Sequence, residues 1–248
     1  MFEYASVSLT GHRSDNQDRV EIVEQGPSVL LIVVDGMGGH SDGARASEVT
    51  IACLTRRFRD AGQPVLDPQG FLIGALAAAH DEVVRLGEHI AVEHRPRATS
   101  AVCLIQDANL YCAHIGDSRI YQLRGRGIAY RTRDHSHVEL LLHEGVIQET
   151  ELNRHPMRNY VECCLGGDEP LPDMSVAARR QLVAGDVVML CSDGLWTGIG
   201  DDELGALTNP EARLDTALEA LAERAVQHNA PSSDNTTAAA LRYGGGEA

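Results

Sequence analysis

The stretch Leu30-Leu31-Ile32-Val33-Val34-Asp35-Gly36-Met37-Gly38-Gly39-His40 organises the rest of the chain. Five apolar residues, three of them β-branched, predict a strand buried on both faces. The strand delivers a carboxylate to its end and then turns on glycine. Gly36, Gly38 and Gly39 let the backbone approach an ion or a phosphate where a Cβ would interfere. Alone, strand-Asp-Gly also opens nucleotide sites, phospho-acceptor sites and ordinary turns, so its meaning depends on the other acidic motifs.

Composition narrows the choices. A chain of 248 residues with 43% hydrophobic content can bury a sizeable core, built from Val, Leu, Ile and Ala because aromatics are only 4%. A formal net charge of -15 argues against nucleic acid or an anionic membrane as partner and suits either plain solubility or the gathering of divalent cations. The six cysteines show no CxxC spacing, and several lie in apolar runs, as expected of small core residues in a reducing compartment. The opening residues lack a signal-peptide pattern and no apolar run approaches the ~20 residues of a membrane span. The expectation is a cytoplasmic protein.

Outward from the central stretch, Tyr4–Leu9 predicts a strand followed by the polar loop Gly11-His12-Arg13-Ser14-Asp15-Asn16-Gln17-Asp18. Val20–Val23 and Val29–Val34 predict a hairpin across Gly26-Pro27. Ser41–Arg59 and Pro68 to about Val92 carry helical apolar stripes. Ser100–Ile105, Leu110–Ile115 and Arg119–Leu123 predict three strands whose short links, Asp107-Ala108-Asn109 and Gly116-Asp117-Ser118, imply antiparallel neighbours. Ile128–Thr132 adds a strand, Val138–Glu144 a helix and Gln148–Arg158 a polar surface segment. Val187–Cys191 is a second apolar strand ending on Asp, in Cys191-Ser192-Asp193-Gly194-Leu195-Trp196. Asp201–Leu207 and Pro210–His228 read as helices and Thr236–Arg242 as the closing strand. The expectation is one α+β domain over residues 1–243, a four-layer α-β-β-α sandwich of two central antiparallel sheets flanked by helix pairs, with residues 244–248 a flexible tail.

Asp35 and Asp193 each precede Gly at the end of an apolar strand, Asp18 and Asp234 sit in polar loops before strands, and Asp117 lies in a turn. If these loops meet, the carboxylates repel one another unless cations neutralise them. Carboxylate and carbonyl donors select magnesium or manganese. Two such ions about 3.5–4 Å apart lower the pKa of a shared water towards ~7. A guanidinium such as Arg13 would grip a phosphate in bidentate fashion. The chemistry so assembled is hydrolysis of a phosphate ester.

The ordered motifs Gly11-x-Arg13-x-x-Asn16-Gln17-Asp18, Val34-Asp35-Gly36-Met37-Gly38-Gly39-His40, Ala98-Thr99-Ser100, Gly116-Asp117-Ser118-Arg119, Thr132-x-Asp134-His135-Ser136, Gly145-Val146-Ile147 with His155-Pro156-x-Arg158-Asn159, Leu165-Gly166, Cys191-Ser192-Asp193-Gly194-Leu195-Trp196 and Asp234-Asn235-x-Thr237 cover nearly the whole chain. In them the chain resembles the metal-dependent protein Ser/Thr phosphatases of type 2C, the PPM family, in their short bacterial form. The resemblance implies the α-β-β-α sandwich and direct attack of a metal-bridging hydroxide on phosphoserine or phosphothreonine. It implies that Asp35 bridges two Mn2+ or Mg2+ ions, that the Gly36 carbonyl binds the second and that Asp193 and Asp234 bind the first. By the same match Asp18 holds metal-bound waters, Asp117 with Asp193 forms a weaker third metal site, Arg13 binds phosphate and about Val138 to Arg158 forms a flap. Phosphoproteins are the implied substrates, with a bacterial Ser/Thr kinase as antagonist.

Two positions depart from the family pattern. Gln17 stands where many members have Glu, and Met37 stands where some have a histidine general acid. His40 is one candidate for that acid; a structural role for it, with protonation by metal-bound water, is the other reading. Trp196 is expected to pack under the Asp193-Gly194 turn, Arg119 to order its loop, and His135 and His137 to tie loops together. The competing functions are a non-catalytic regulatory or scaffold domain of the same fold, which would be expected to lose one of Arg13, Asp35, Asp193 or Asp234, and a phospho-acceptor domain, which would need parallel βαβ units.

Overall fold

A computed structural model describes residues 2–37 and 41–245. The chain runs β1 (Phe2–Leu9), β2 (Arg19–Gln25), β3 (Ser28–Val34), β4 (Gly36–Met37), α1 (Ser41–Asp60), α2 (Pro68–Leu86), β5 (Arg97–Ala98), β6 (Ser100–Gln106), β7 (Asn109–Ile115), β8 (Arg119–Arg124) and β9 (Gly127–Arg131). It continues through α3 (His137–His143), β10 (Leu165–Gly166), β11 (Ser175–Val176), β12 (Arg180–Gln181), β13 (Val187–Cys191), α4 (Asp193–Trp196), α5 (Leu214–His228) and β14 (Thr236–Tyr243). One sheet has the order β1-β14-β13-β8-β9; the second has β11-β7-β6-β3-β2, with β12 also on β7. Every pairing between these strands is antiparallel.

The side-chain alternation of β3 shows how four layers arise. All seven of its residues are buried. Leu30, Ile32 and Val34 join Cys53, Leu54 and Phe58 of α1 and Leu72, Leu76 and Val83 of α2 in the outer core. Val29, Leu31 and Val33 face the other way and meet Val188, Leu190, Ala239 and Leu241 of the facing sheet. A strand with period two can serve both layers only if the residues on both its faces are apolar, as Val29 to Val34 are. Beyond the facing sheet, Tyr121, Met189 and Ala238 pack on Leu214, Leu218 and Leu221 of α5. The outer layer on that side is α5 with the 3-10 turn Glu203–Thr208, and on the other side it is α1 with α2.

Several expectations shift. The second long helix stops at Leu86 because Gly87 closes it with an N–H bond to Val84, and a Cβ there would lie 2.9 Å from Arg95 Cγ. Its start is as expected of a capped helix, with Pro68 in the first turn and the Asp67 carboxylate accepting from Gly70 N at 3.0 Å. In place of a helix over Asp201–Leu207 there is a 3-10 turn, Glu203–Thr208, and the last helix begins at Leu214, whose N–H is taken by Glu3 Oε1 of β1 at 2.8 Å. The link Asp107-Ala108 is a hairpin turn with φ of 50° and 58°.

The expected hairpin across Gly116-Asp117-Ser118 does not form. β7 pairs within the second sheet, whereas β8 pairs with β13 and β9 in the first, so this link carries the chain from one sheet to the other. A short link enforces antiparallel pairing only when both strands stay in one sheet. Here Gly116, at φ +97°, turns so tightly over Thr99 that a Cβ would lie 2.5 Å from the Thr99 side chain. A third, small sheet, β10-β5-β4, was not foreseen; it fastens Gly36 to Ala98 and Ala98 to Leu165.

Candidate active site

Strand register brings the acidic loops to one end of the sandwich. Val34 at the end of β3 is opposite Arg19 at the start of β2, and Ser100 at the start of β6 is opposite Ile115 at the end of β7. In the other sheet Leu9 is opposite Thr236, and Cys191 is opposite both Ala238 and Arg119. Asp18, Asp35, Asp117, Asp193 and Asp234 therefore all emerge at the same rim.

Close backbone contacts set their positions. The Gly36 N–H bonds Gln17 O at 3.3 Å, Ser47 Oγ donates a short hydrogen bond to the same carbonyl, and a Cβ on Gly36 would fall 2.1 Å from Gly43 O. A Cβ on Gly194 would fall 2.0 Å from Asn235 O, so the α4 start and the Asp234 loop touch backbone to backbone. Asn235 ties this loop to the first one, donating to Thr10 O and Asp15 O, both at 2.9 Å, and accepting from Gln17 N at 2.9 Å. Thr99 N donates to Asp35 O at 2.8 Å, and Thr99 and Ser118 share a hydroxyl hydrogen bond of 2.7 Å, which joins the Asp35 and Asp117 loops.

Electrostatics mark the cluster. Burial raises Asp18 to about 6 against the lowering effect of hydrogen bonds from Ser192, at 2.7 Å, and Thr237. Burial and then Asp134 raise Asp117 to about 7. Asp35 and Asp193, partly open to the cleft, are pushed well above the carboxylate range, first by desolvation and then by Asp18 and Asp117 respectively. Asp18 Oδ1 and Asp193 Oδ1 are buried without a hydrogen-bond partner among the described residues. Arg13 places a cation directly on the cluster, with Nη2 2.6 Å from Asp234 Oδ2.

Orphaned buried carboxylate oxygens among mutually repelling acids are a donor set suited to hard divalent cations. Among the described residues, no three Asp, Glu, His or Cys side chains close around a single point by themselves. Arg13, Asp117, Asn159, Asp193 and Asp234 are shared by two adjoining clefts of about 620 and 350 Å3. A separate hollow of about 520 Å3 lies between β2 and α1, away from the aspartates.

The segment expected to form a flap contains α3 and the 3-10 turn Glu149–Arg154, and Arg158 borders the smaller cleft. His135 Nε2 meets Ser175 Oγ at 2.8 Å and His137 Nδ1 meets Glu162 at 2.7 Å, so both tie loops together. His40, with Gly38 and Gly39, lies outside the described residues. Ser192 and Asn235 each adjoin a motif aspartate, but their bonds to Asp18 and to the first loop reach across the chain and have no local signature.

The fold and rim define a class. The family model for protein phosphatase 2C matches residues 10–241, and the chain belongs to that family. Among its relatives, protein phosphatase PhpP of Streptococcus pneumoniae is 32% identical over 230 residues, covering 92% of this chain and 91% of PhpP. The serine/threonine protein phosphatase PstP of Mycobacterium tuberculosis is 35% identical over 247 residues, 96% of this chain but 44% of PstP. The S. agalactiae serine/threonine phosphatase superposes with a TM-score of 0.88 at 26% identity, covering 98% of this chain and all of that one. The catalytic domain of PstP, solved in complex with two manganese ions, gives 0.81 at 31% identity, over 97% of each chain.

Proposed function

We propose that this protein phosphatase hydrolyses phosphoserine and phosphothreonine monoesters in proteins, using two divalent cations, manganese or magnesium. The observation that carries this reading is the convergence of five aspartates on one rim with two buried carboxylate oxygens left unpartnered. Bound there, the cations would lower the pKa of water enough to supply hydroxide near neutral pH. Asp35, Asp193, Asp234 and the Gly36 carbonyl are the residues that would hold them, with Asp117 adding a weaker third position. Asp18, fixed by the Ser192 hydroxyl, would orient water at the bound cations. Arg13, exposed at the mouth of the cleft, leaves Asp234 for the incoming phosphoryl group and presents its fork to two of the oxygens. The flap closes one side of the cleft and contacts the polypeptide around the phosphoresidue. In the cell, the reading makes the enzyme a cytoplasmic antagonist of a Ser/Thr kinase, and residues 1–243 one catalytic domain.

The test is hydrolysis of a phosphothreonine peptide with Mn2+, with EDTA, and by Asp193→Ala. Turnover that disappears in both controls is expected. A wild-type chain inert towards several phosphopeptides with either metal would replace this reading with a regulatory domain of the same fold.

A further inference from the structure

Trp196 is the only tryptophan in the chain. Its Nε1 donates to the Asp117 carbonyl at 3.0 Å, which joins α4, the helix that starts with Asp193, to the loop that carries Asp117. The Arg119 guanidinium lies on the indole ring, with Cζ 3.6 Å from its centroid. Asp134 holds that guanidinium in a fork: Nε is 2.9 and 3.2 Å from the two carboxylate oxygens, and Nη2 is 2.7 Å from one of them. The Arg119 and Asp134 side chains are only 13% and 7% exposed. Arg119 Nη1 reaches Tyr121 Oη at 3.4 Å. Arg119 borders the cleft, yet each of its three guanidinium nitrogens already has a partner, whereas Arg13 engages Asp234 through Nη2 and its side chain is 58% exposed.

Asp134 belongs to the root of the flap. His135 N donates to Gly116 O at 2.9 Å, Gly116 N donates to His135 Nδ1 at 3.3 Å, and Ser136 caps α3. A guanidinium pinned edge-on by a carboxylate and face-on by an indole has one orientation available. Contacts therefore run without a break from the flap root to both the Asp117 loop and α4.

We propose that Asp134, Arg119 and Trp196 act as a positioning stack that sets the separation of Asp117 and Asp193 and transmits the placement of the flap root to them. This rests on the phosphatase reading above, in which those two carboxylates hold cations.

The experiment titrates Mn2+ into the wild type, Asp134→Asn and Trp196→Phe by calorimetry, follows tryptophan fluorescence in the first two, and measures p-nitrophenyl phosphate hydrolysis in all three. Loss of a group that supports metal ligands typically costs about 10- to 100-fold in affinity. The expected result is a Mn2+ midpoint raised at least about tenfold in both variants. The KM for the ester at saturating Mn2+ stays at the wild-type value. Wild-type fluorescence changes with the calorimetric midpoint, and that change shrinks in Asp134→Asn. Trp196→Phe keeps an aromatic ring beside Arg119 while removing the Nε1 donor and part of the indole surface, so it decides the matter if Asp134→Asn does not fold. Folded variants with the wild-type midpoint overturn the stack while leaving the phosphatase intact. A wild type that neither binds Mn2+ nor hydrolyses the ester overturns both.

Discussion

Strand β13 has an aspartate at each end, Asp186 before Val187 and Asp193 two residues past Cys191, and the two have opposite surroundings. Asp186 is 1% exposed, yet Arg124 grips it with Nε at 2.8 Å and Nη2 at 2.7 Å, Gln122 Nε2 donates at 2.9 Å and Val183 N at 3.0 Å. These donors outweigh desolvation and hold its carboxyl below the usual range. Asp193 has one buried oxygen without a partner, and Asp117, Asp234 and Asp18 nearby. Burial alone therefore does not distinguish structure from function. An acid whose partners are supplied by the fold is a fastener, and an acid left short of partners among other acids is a binding position.

The sharpest way to break the contrast is to neutralise each end in turn. Asp193→Asn, or removal of metal by EDTA, should lower phosphopeptide turnover on the order of a thousandfold. In the same variant the metal-free melting temperature should hold or rise, because a repulsive charge has gone. Asp186→Asn should do the reverse, destabilising the chain by about 2–3 kcal/mol in urea unfolding with activity per folded molecule unchanged. The glycine beside each aspartate refines the comparison. Gly194→Ala drives a Cβ to 2.0 Å from the Asn235 carbonyl oxygen and should cost about 2 kcal/mol as well as weaken Mn2+ binding. Gly185→Ala meets no atom within 4 Å and strains only its φ of +88°, so about 1 kcal/mol and an unchanged Mn2+ isotherm are expected.

The shallowest effect is on pH dependence, and its sign differs between the ends. Asp18, at about 6, and Asp117, at about 7, bind protons more tightly folded than unfolded. Their contribution to the metal-free chain is complete below the ordinary carboxylate pKa and is lost as pH rises through about 6 to 7. Asp186 is shifted downward, so its contribution is present above the ordinary value and is lost as pH falls through its lowered folded value. Metal-free thermal melts should therefore show stability falling from mildly acidic pH towards neutrality, and Asp18→Asn should flatten that fall. A flat wild-type profile over this range would remove the electrostatic contrast.

Much of the rim was legible because its signals are local. Asp35 and Asp193 follow apolar strands and precede glycines that the backbone contacts require, and both features lie within a few residues. Asp18, Asp117 and Asp234 were visible as acids in polar links. The link at Asp117 was misjudged because nothing near it states whether β7 and β8 share a sheet; that depends on β13, which pairs with β8 from about seventy residues further along the chain. The partnership of Arg13 with Asp234 spans 221 positions, and that of Ser192 with Asp18 spans 174. Neither has a local signature, and the residue beside Asp193 could equally have been a plain turn serine.

The sequence by itself determined the elements, their apolar faces and the placement of carboxylates at strand ends, since periodicity and turn chemistry act between near neighbours in the chain. Only the tertiary structure decided which strands share a sheet, which loops meet at one rim, and that Trp196 reaches the Asp117 carbonyl from across that rim. Backbone hydrogen bonds and apolar burial are nearly indifferent to partner identity. The choice among partners is made by the packing of all four layers together.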